Sequence, residues 1–174
     1  MTGPVGGVSV VRPDWSEDAN SIRLLLREAF ETTAEADLVD RLRHDGDLVL
    51  GMVATDITKE IFGYAAFSRL RVEHAGQEFP VIGLAPLVVA KPYRRQGIGA
   101  DLVSGGLSNL AIRGESLVFV LGNPAYYTRF GFALETARPF TCAYVGPHFM
   151  AMQLADTAPR AGVVRYPAAF DALG

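Results

Sequence analysis

Residues Leu84–Leu102 read LAPLVVAKPYRRQGIGADL, an apolar run followed by a basic loop with two glycines and then by helix-forming residues. The apolar part belongs to a predicted strand, Phe79–Ala90, and the end opens a predicted helix, Gly97–Arg113. The first N–H groups of a helix lack partners within it and lie at the positive end of its dipole. Glycine lets the main chain approach a bulky group, and Arg94 and Arg95 add charge. This strand–loop–helix unit therefore predicts a site for a phosphate or pyrophosphate.

The loop differs from two common phosphate-binding loops. A P-loop needs a lysine and a hydroxyl residue after its glycines, and neither follows Gly97 or Gly99. A dinucleotide fingerprint needs a third small residue where this chain has Leu102. That fingerprint also opens a doubly wound fold near its first strand, whereas this loop follows several predicted antiparallel strands. A capped turn with solvated arginines is the alternative that binds no ligand.

The segments around this unit predict an α/β fold (α+β mixed) with a mixed, largely antiparallel central sheet and helices on both faces. The strand–helix–strand unit from Val81 to Leu121 is expected to be parallel and right-handed. Hydrophobic periodicity changes along the chain between the helical and the strand pattern. The predicted helices are Ser16–Phe30, Ala34–His44 with Gly46 as its end, Gly97–Arg113 and Pro124–Phe130. The predicted strands are Val8–Val11, Leu48–Thr55, Ile61–Val72, Phe79–Ala90, Leu117–Leu121, Phe132–Glu135, His148–Leu154 and Val163–Tyr166.

The composition is that of one globular domain, residues 1–174. With 174 residues and 49% hydrophobic content the chain can bury a sizeable core. A formal net charge of −3 argues against a general nucleic-acid binder, and the single cysteine, Cys142, suits a reducing compartment. No apolar run approaches the ~20 residues of a membrane-spanning helix. Residues 1–13 lack the basic start and apolar core of a signal peptide, so we expect a cytoplasmic protein.

A second motif follows the next predicted strand. Residues Gly122–Phe132 read GNPAYYTRFGF and begin 23 positions after Gly99. Together with RRQGIG at Arg94–Gly99, this run resembles the GNAT N-acetyltransferase superfamily. That superfamily has an [RQ]-x-x-G-x-[GA] pyrophosphate loop and a tyrosine four residues before a Gly-Phe pair, as Tyr127 stands before Gly131.

One bacterial branch of small predicted N-acetyltransferases is more similar still. It has a near-identical PAYYxRFGF run, and three further segments resemble it in the same order. These segments are EADLVDRLR (Glu35–Arg43), GLAPLVV (Gly83–Val89) and HFMAMQL (His148–Leu154). The resemblance covers most of the chain and implies a GNAT-like fold with a splayed pair of parallel strands.

The loop departs from the usual superfamily run, V-x-P-x-x-R-G-x-G, in two places. The proline stands one residue later, at Pro92. Lys91 occupies the position where the superfamily usually has proline. Arg95 replaces the common glycine before Gln96. We therefore expect the Arg95 side chain in solvent while its amide still serves the phosphate.

The resemblance implies transfer of an acetyl group from acetyl-coenzyme A to the amine of a small acceptor. The Arg94 side chain is a further candidate for holding the diphosphate. The pantetheine arm would pair like an extra strand with Leu87, Val88 and Val89. Asn123 either hydrogen-bonds this arm or caps the short helix. The amides assigned to the diphosphate are those of Arg95, Gln96, Gly97, Ile98, Gly99 and Ala100.

Proline at position 86 points to the gap that such a reaction needs. Because proline cannot donate a ladder hydrogen bond, it favours edges and bulges. A bulge at Ala85–Pro86 would splay this strand from Leu117–Leu121 and admit the thioester, and a mere strand irregularity is the alternative. The Leu87 amide beside the bulge is the predicted donor to the carbonyl oxygen on which charge develops.

Tyr127 is the predicted general acid. A phenol with a pKa of ~10 can protonate a thiolate whose conjugate acid lies near ~8.5–10. Tyr126 is the competing residue, and a tyrosine that only packs near the sheet is the alternative.

No general base is assigned. Glu35 is a candidate, because the loop between the first two helices normally borders the acceptor site in the superfamily, but Thr32-x-x-Glu35 also reads as a capping box. His74 and Glu78 stand beside a predicted hairpin turn, where such residues are usually solvated. His148 begins a late strand, and a satisfied or exposed histidine is its simpler interpretation.

Other chemistries have weaker support. Cys142 has no histidine at a diagnostic spacing, and no His, Cys and carboxylate cluster has metal-ligand spacing. The segment Arg165–Leu173 is weakly helical and would cover a sheet edge or the seam of a homodimer. A non-catalytic acyl-coenzyme A sensor on the same fold and a nucleotide-binding regulator remain alternatives.

Overall fold

One sheet of eight strands organises residues 9–173, which the computed structural model describes. The strands are β1 (Val10–Pro13), β2 (Leu48–Thr55), β3 (Ile61–His74), β4 (Gln77–Val89), β5 (Leu117–Leu121), β6 (Phe140–Thr141), β7 (Phe149–Gln153) and β8 (Gly162–Arg165). Their order is β1-β2-β3-β4-β5-β7, and β8 pairs with the far end of β3 and with β6. The β4–β5 and β6–β8 pairs are parallel and the others antiparallel. The predicted mixed, largely antiparallel sheet is confirmed.

Helices cover both faces of this sheet. They are α1 (Ala19–Ala29), α2 (Ala34–Asp45), α3 (Ile98–Ile112), α4 (Pro124–Tyr127) and α5 (Leu134–Ala137). Because neighbouring strand residues face opposite sides, Val53 and Ala66 pack with residues of α1 and α2, whereas Met52 and Phe67 pack with residues of α3. The two apolar layers therefore lie on opposite sides of the same strands.

Helix α3 approaches the sheet closely at one glycine. Gly106 faces the sheet, and a Cβ at this position would overlap the ring of Phe67. Phe67 and the α3 residues Leu102 and Val103 are each fully buried. The absence of a side chain at Gly106 thus lets the helix rest directly on the aromatic ring.

Several predicted boundaries agree with the structure. The bounds of β2 and β5 match the predictions, and α2 ends at Gly46 in the left-handed conformation, with φ 80°. Glycine is favoured there because it adopts positive φ without steric penalty. Val8, with which the predicted first strand begins, lies outside the described residues.

Two local predictions are wrong, and one short strand was missed. The predicted strand Phe132–Glu135 is absent, since Leu134–Ala137 (LETA) forms α5 and the bridge to β7 is made by Ala133 and Ala151. Leu, Glu and Ala are strong helix formers, and the strand pattern was too short to outweigh them. Strand β6 was not predicted, because two residues offer no alternation to detect. Thr32 does not begin a capping box: α2 starts after Thr33, which places Glu35 one position too early in the helix.

The C-terminal segment packs on α2. Residues Ala168–Leu173 form a short 3-10 helix, and Ala169 and Phe170 are buried against Leu38 and Leu42. Within residues 9–173, no helix combines the length and the apolar character needed to cross a membrane.

Candidate functional site

A bulge in β4 opens the sheet between two parallel strands. Phe67 of β3 stands opposite Leu84, but Ala65 stands opposite Leu87, so β4 carries one extra residue at Ala85–Pro86. The Ala85–Pro86 peptide bond is cis. The parallel pairing of β4 with β5 ends at Leu84 and Val120. The predicted bulge and the splayed pair of parallel strands are therefore confirmed.

The extra residue also reverses the side-chain pattern of β4. Before the bulge, Leu84 packs on the α3 side of the sheet, and Ala85 packs with α2 and the C-terminal segment. After it, Leu87 and Val89 pack on the α3 side, whereas Val88 packs on the α1 and α2 side. Without the bulge, strict alternation would give Leu87 and Val89 the side of Ala85.

The amides of Leu87 and Val89 point into the opened gap. In an antiparallel ladder, pairs that exchange hydrogen bonds alternate with pairs that do not. The Ala90 N–H donates to the Phe62 carbonyl at 2.8 Å, so the Gly63–Val89 and Ala65–Leu87 pairs are of the second kind. Their N–H groups are directed away from β3, towards the place that β5 leaves free.

The basic loop forms a cradle of backbone donors at the start of α3. Arg95 and Gly97 both have positive φ, 64° and 81°, and Gly97 is the N-cap of the helix. Alternation of left-handed and helical residues turns successive N–H groups to one side, which makes a concavity that suits anions. The side chain of Arg95 is exposed, as predicted, and that of Gln96 is exposed as well, while the Ile98 side chain is buried in the core below.

A cleft of about 340 Å³ lies against this cradle. Its lining includes three arginine side chains, which give it a positive character. The Nε of Arg94 donates to the Val89 carbonyl at 2.8 Å and so bends back over the end of β4. The cleft is lined by Val89, Tyr93, Arg94, Arg95, Gly97, Ile98, Gly99, Ala100, Tyr126 and Arg129.

Tyr93, Tyr126 and Arg129 line this cleft but were not assigned to it from the sequence. Arg129 stacks on the ring of Tyr126, with 4.5 Å from its guanidinium carbon to the ring centroid. A Cβ on Gly99 would lie 2.7 Å from the Tyr126 hydroxyl oxygen, so glycine at this position gives the tyrosine room over the helix N-terminus. Tyr126 and Arg129 are three residues apart in adjoining helical turns, and residues at this spacing share a face of a helix. This spacing was the signal in the sequence that the two side chains lie together.

Tyr127 lies on the other side of its helix, beside the end of β5. A Cβ on Gly122 would overlap its ring, and the ring contacts Phe132 edge-on with centroids 5.8 Å apart. Burial raises the pKa of Tyr127 to about 12. Leu87, across the gap, packs against the same core cluster as Tyr127, whereas the Tyr126 hydroxyl lies beside Gly99 at the start of α3.

Asn123 caps α4. Its Oδ1 accepts a hydrogen bond from the Ala125 N–H at 3.0 Å, as one of the two sequence-based interpretations expected. The side-chain amide N–H groups of Asn123 are not used by this cap, so the cap and a contact to a ligand are compatible.

The candidate bases occupy three different environments. His74 and Glu78 are exposed at the β3–β4 turn, as expected. The Nδ1 of His148 lies 3.2 Å from the Gly122 carbonyl, a contact that requires a proton on Nδ1 and leaves Nε2 to accept one. Glu35 has one carboxylate oxygen, Oε2, that is buried without a hydrogen-bond partner among the described residues.

A second, smaller cleft of about 80 Å³ opens on the opposite face of β4. It is lined by Gly83, Leu84, Ala85, Leu121, Tyr144, Tyr166, Phe170 and Leu173. Cys142 lies near its tyrosines, and burial raises the pKa of the Cys142 thiol. The neutral thiol is a poor nucleophile, which argues against an acyl-carrying role.

Comparisons with known proteins agree with this geometry. The family model described as "Acetyltransferase (GNAT) domain" matches residues 11–134. The chain is 42% identical over 161 residues to the uncharacterized N-acetyltransferase YhbS of Escherichia coli K12, covering 90% of this chain and 95% of that protein. The crystal structure of E. coli YhbS in complex with CoA has a TM-score of 0.87 and 40% identity, covering 95% of this chain and 93% of that one. A GNAT acetyltransferase from Brucella melitensis, in complex with acetyl-CoA, has a TM-score of 0.76 and 30% identity over 94% of this chain and 99% of that one.

Proposed function

The chain belongs to the GNAT acetyltransferase family, and we propose that it transfers the acetyl group of acetyl-CoA directly to the amine of a small acceptor. We further propose that residues 1–174 act as a single catalytic domain in the cytoplasm, without nucleic-acid or membrane partners. The observation that best supports this reaction is the bulge in β4, which leaves the Leu87 amide directed into a gap beside the anion cradle.

The cradle fits the diphosphate of the coenzyme. The proposed donors are the amides of residues 95 to 100, aided by the dipole of α3. Arg94 and Arg129 line the same cleft, and we assign both side chains to the phosphates. A Cβ added to Gly97 would meet no atom within 4 Å, so the space in front of the cradle is open.

The pantetheine arm is an amide-bearing chain that can take the place β5 vacates. We propose that it pairs with β4 along Leu87, Val88 and Val89, because the Leu87 and Val89 amides lack partners on β3. The Leu87 N–H then donates to the thioester carbonyl oxygen, on which negative charge develops during attack. Asn123 can donate to the arm through its free amide N–H groups while its oxygen caps α4.

The chemistry balances with one proton donor and one proton acceptor. The neutral amine nitrogen forms a bond to the acetyl carbon, the carbon–sulfur bond breaks, and the leaving thiolate takes a proton from the Tyr127 hydroxyl. The proton that the amine loses passes to solvent water, which is the proton acceptor, and water reprotonates the Tyr127 phenolate. The Tyr127 phenol is protonated at neutral pH, and burial, which raises its pKa to about 12, makes it a weaker acid than an unshifted tyrosine. The position of the Tyr127 ring beside Gly122 supports Tyr127 as the general acid. Tyr126 is less suitable because its hydroxyl lies near Gly99.

Replacing Tyr127 with phenylalanine tests this assignment. The Tyr127→Phe variant keeps the ring against Phe132 but removes the proton donor, so we expect kcat to fall about 100-fold or more. The Kd for CoA should stay within about twofold. Release of free thiol at saturating acetyl-CoA and amine measures kcat, and calorimetric titration measures the Kd.

The matched control is Tyr126→Phe, which should change the Kd for CoA more than kcat. Since the neutral phenol is the active form and its pKa is about 12, wild-type kcat should not decline between about pH 8 and pH 10.5. If Tyr127 had the unperturbed pKa of ~10, kcat would begin to fall within this pH range. Unchanged turnover in Tyr127→Phe would assign the acid to another group.

A non-catalytic acyl-CoA sensor is the second candidate on this fold. Such a protein would bind acetyl-CoA at the same cradle but would release no thiol with any amine. A nucleotide-binding regulator would instead be stabilised by ATP or NAD more than by CoA, which a thermal-shift comparison of the three ligands detects.

A further inference from the structure

The small cleft on the α2 side of β4 lies beside the bulge, where the pairing of β4 with β5 ends. Ala85 belongs to its lining and to the bulge, and Leu121 is the last residue of β5 before the strands part. A molecule seated there lies across the sheet from the cradle. An amine on that molecule can therefore approach the Leu87 amide from the face that the coenzyme does not occupy.

Among residues 9–173, none of those that line this cleft carries a charged side chain. Three aromatic rings form one of its walls: Tyr144 and Tyr166 meet edge-on at 4.8 Å, and Tyr166 and Phe170 at 5.1 Å. Burial is the main cause that raises the pKa of both tyrosines, so both phenols stay neutral at physiological pH. Rings of this kind favour an apolar partner and add edge-to-face contacts to its burial.

Apolar residues also surround the mouth of the cleft. Leu121, Val145 and Leu173 are 49%, 58% and 37% exposed. Single exposed hydrophobic residues are ordinary, but two of these three belong to the lining and Val145 follows Tyr144 directly. Covering them with an apolar group removes hydrophobic surface from water and stabilises the bound state.

Charge and size limit the molecule further. A polyamine would bring further charges into an uncharged lining, and unpaired charges are strongly disfavoured there. The cleft is open to solvent on one side and has a volume of about 80 Å³, which is smaller than the ~150 Å³ closed apolar cavity that holds benzene. An alkyl chain or the edge of one ring fits this volume, and the rest of the molecule extends into solvent.

We propose that the acceptor is a small monoamine with an uncharged, apolar body, held by this aromatic cleft with its nitrogen directed at the gap between β4 and β5. The inference rests on the proposed function for its chemistry, and on the cleft alone for its selectivity. It excludes polyamines and polycationic sugars as preferred acceptors.

A panel of amines measures this selectivity. Thiol release from acetyl-CoA is followed with isoamylamine, benzylamine and phenethylamine, and with spermidine and an aminoglycoside for comparison. We expect kcat/KM for the best apolar monoamine to exceed that for spermidine by at least about tenfold. A preference for spermidine or the aminoglycoside would overturn the inference and leave the proposed acetyltransferase intact.

A charge placed at the cleft mouth tests the location. Leu121→Lys should raise the KM for the apolar amine about tenfold or more and leave the KM for acetyl-CoA within about twofold. Ile112→Lys is the matched control, because Ile112 is 88% exposed at the far end of α3. If both variants behave like the wild type, the amine is bound elsewhere and the inference is wrong.

Binding without turnover separates the two proposals. Calorimetric titration of phenethylamine into the protein with CoA bound should show binding that Leu121→Lys weakens. If this binding is found but no amine releases thiol, the cleft assignment stands and the proposed catalytic function fails. If the wild type binds no apolar amine and turns none over, the inference is overturned.

Discussion

The two clefts that flank β4 differ in how they are built. The cofactor cleft consists mainly of one continuous segment, residues 89 to 100, and its lining carries three arginines. The proposed acceptor cleft is aromatic and uncharged, and it draws on four separate parts of the chain, ending with Tyr166, Phe170 and Leu173. The extra residue at Ala85–Pro86 lies between the two clefts along β4. On the proposed assignment, a group common to many enzymes is bound by local backbone geometry, whereas binding of the specific substrate depends on tertiary assembly.

The strongest test of the comparison places a negative charge in the cofactor cleft. In Ala100→Glu, a carboxylate in the first turn of α3 favours the helix through its dipole but opposes the diphosphate. We expect the Kd for CoA to rise by roughly 30- to 100-fold, equivalent to about 2–3 kcal/mol. The thermal stability of the free protein should not fall.

Ser108→Glu is the matched control for Ala100→Glu. Ser108 is exposed on the same helix, about 12 Å further along its axis, and carries the same change of charge. Its Kd for CoA should remain within about twofold of wild type. Equal weakening in both variants would show that net charge, and not the cradle, governs affinity.

Ionic strength should change the KM of the two substrates differently, by less than the change expected for Ala100→Glu. Raising the ionic strength from about 0.1 M to about 1 M shortens the Debye length from ~10 Å to ~3 Å. We expect the KM for acetyl-CoA to rise about three- to tenfold, because arginines line its cleft. The KM for an apolar monoamine should change less than about twofold, and steady-state kinetics at several salt concentrations measures both. A parallel rise in the two constants would contradict an uncharged acceptor cleft.

Local signals made the cofactor side predictable from the sequence. The run from Leu84 to Leu102 contains the proline at the bulge, the glycine with φ 81° and the first turn of α3. Each of these features depends on residues within a few positions of one another. The cradle and the splayed strands could therefore be expected before the structure, and so could the bounds of β2 and β5.

The remaining features depend on contacts between distant segments. Tyr144 contacts Tyr166, which follows β8, and the place of β8 is set by its pairing with the far end of β3. No periodicity in the sequence indicates that contact. The position of the Tyr126 hydroxyl beside Gly99 depends on where α4 packs against the start of α3. The capping box expected at Thr32 failed for a different, local reason: the helix starts after Thr33, and the two alternatives differ by one residue.

A crystal structure with CoA bound tests the central claim most directly. The account predicts the diphosphate on the amides of residues 95 to 100 and the pantetheine arm along Leu87, Val88 and Val89, with its sulfur between Leu87 and Tyr127. The aromatic cleft should remain accessible from the other face. Diphosphate density away from the start of α3, or a pantetheine arm that does not enter the gap between β4 and β5, would contradict it.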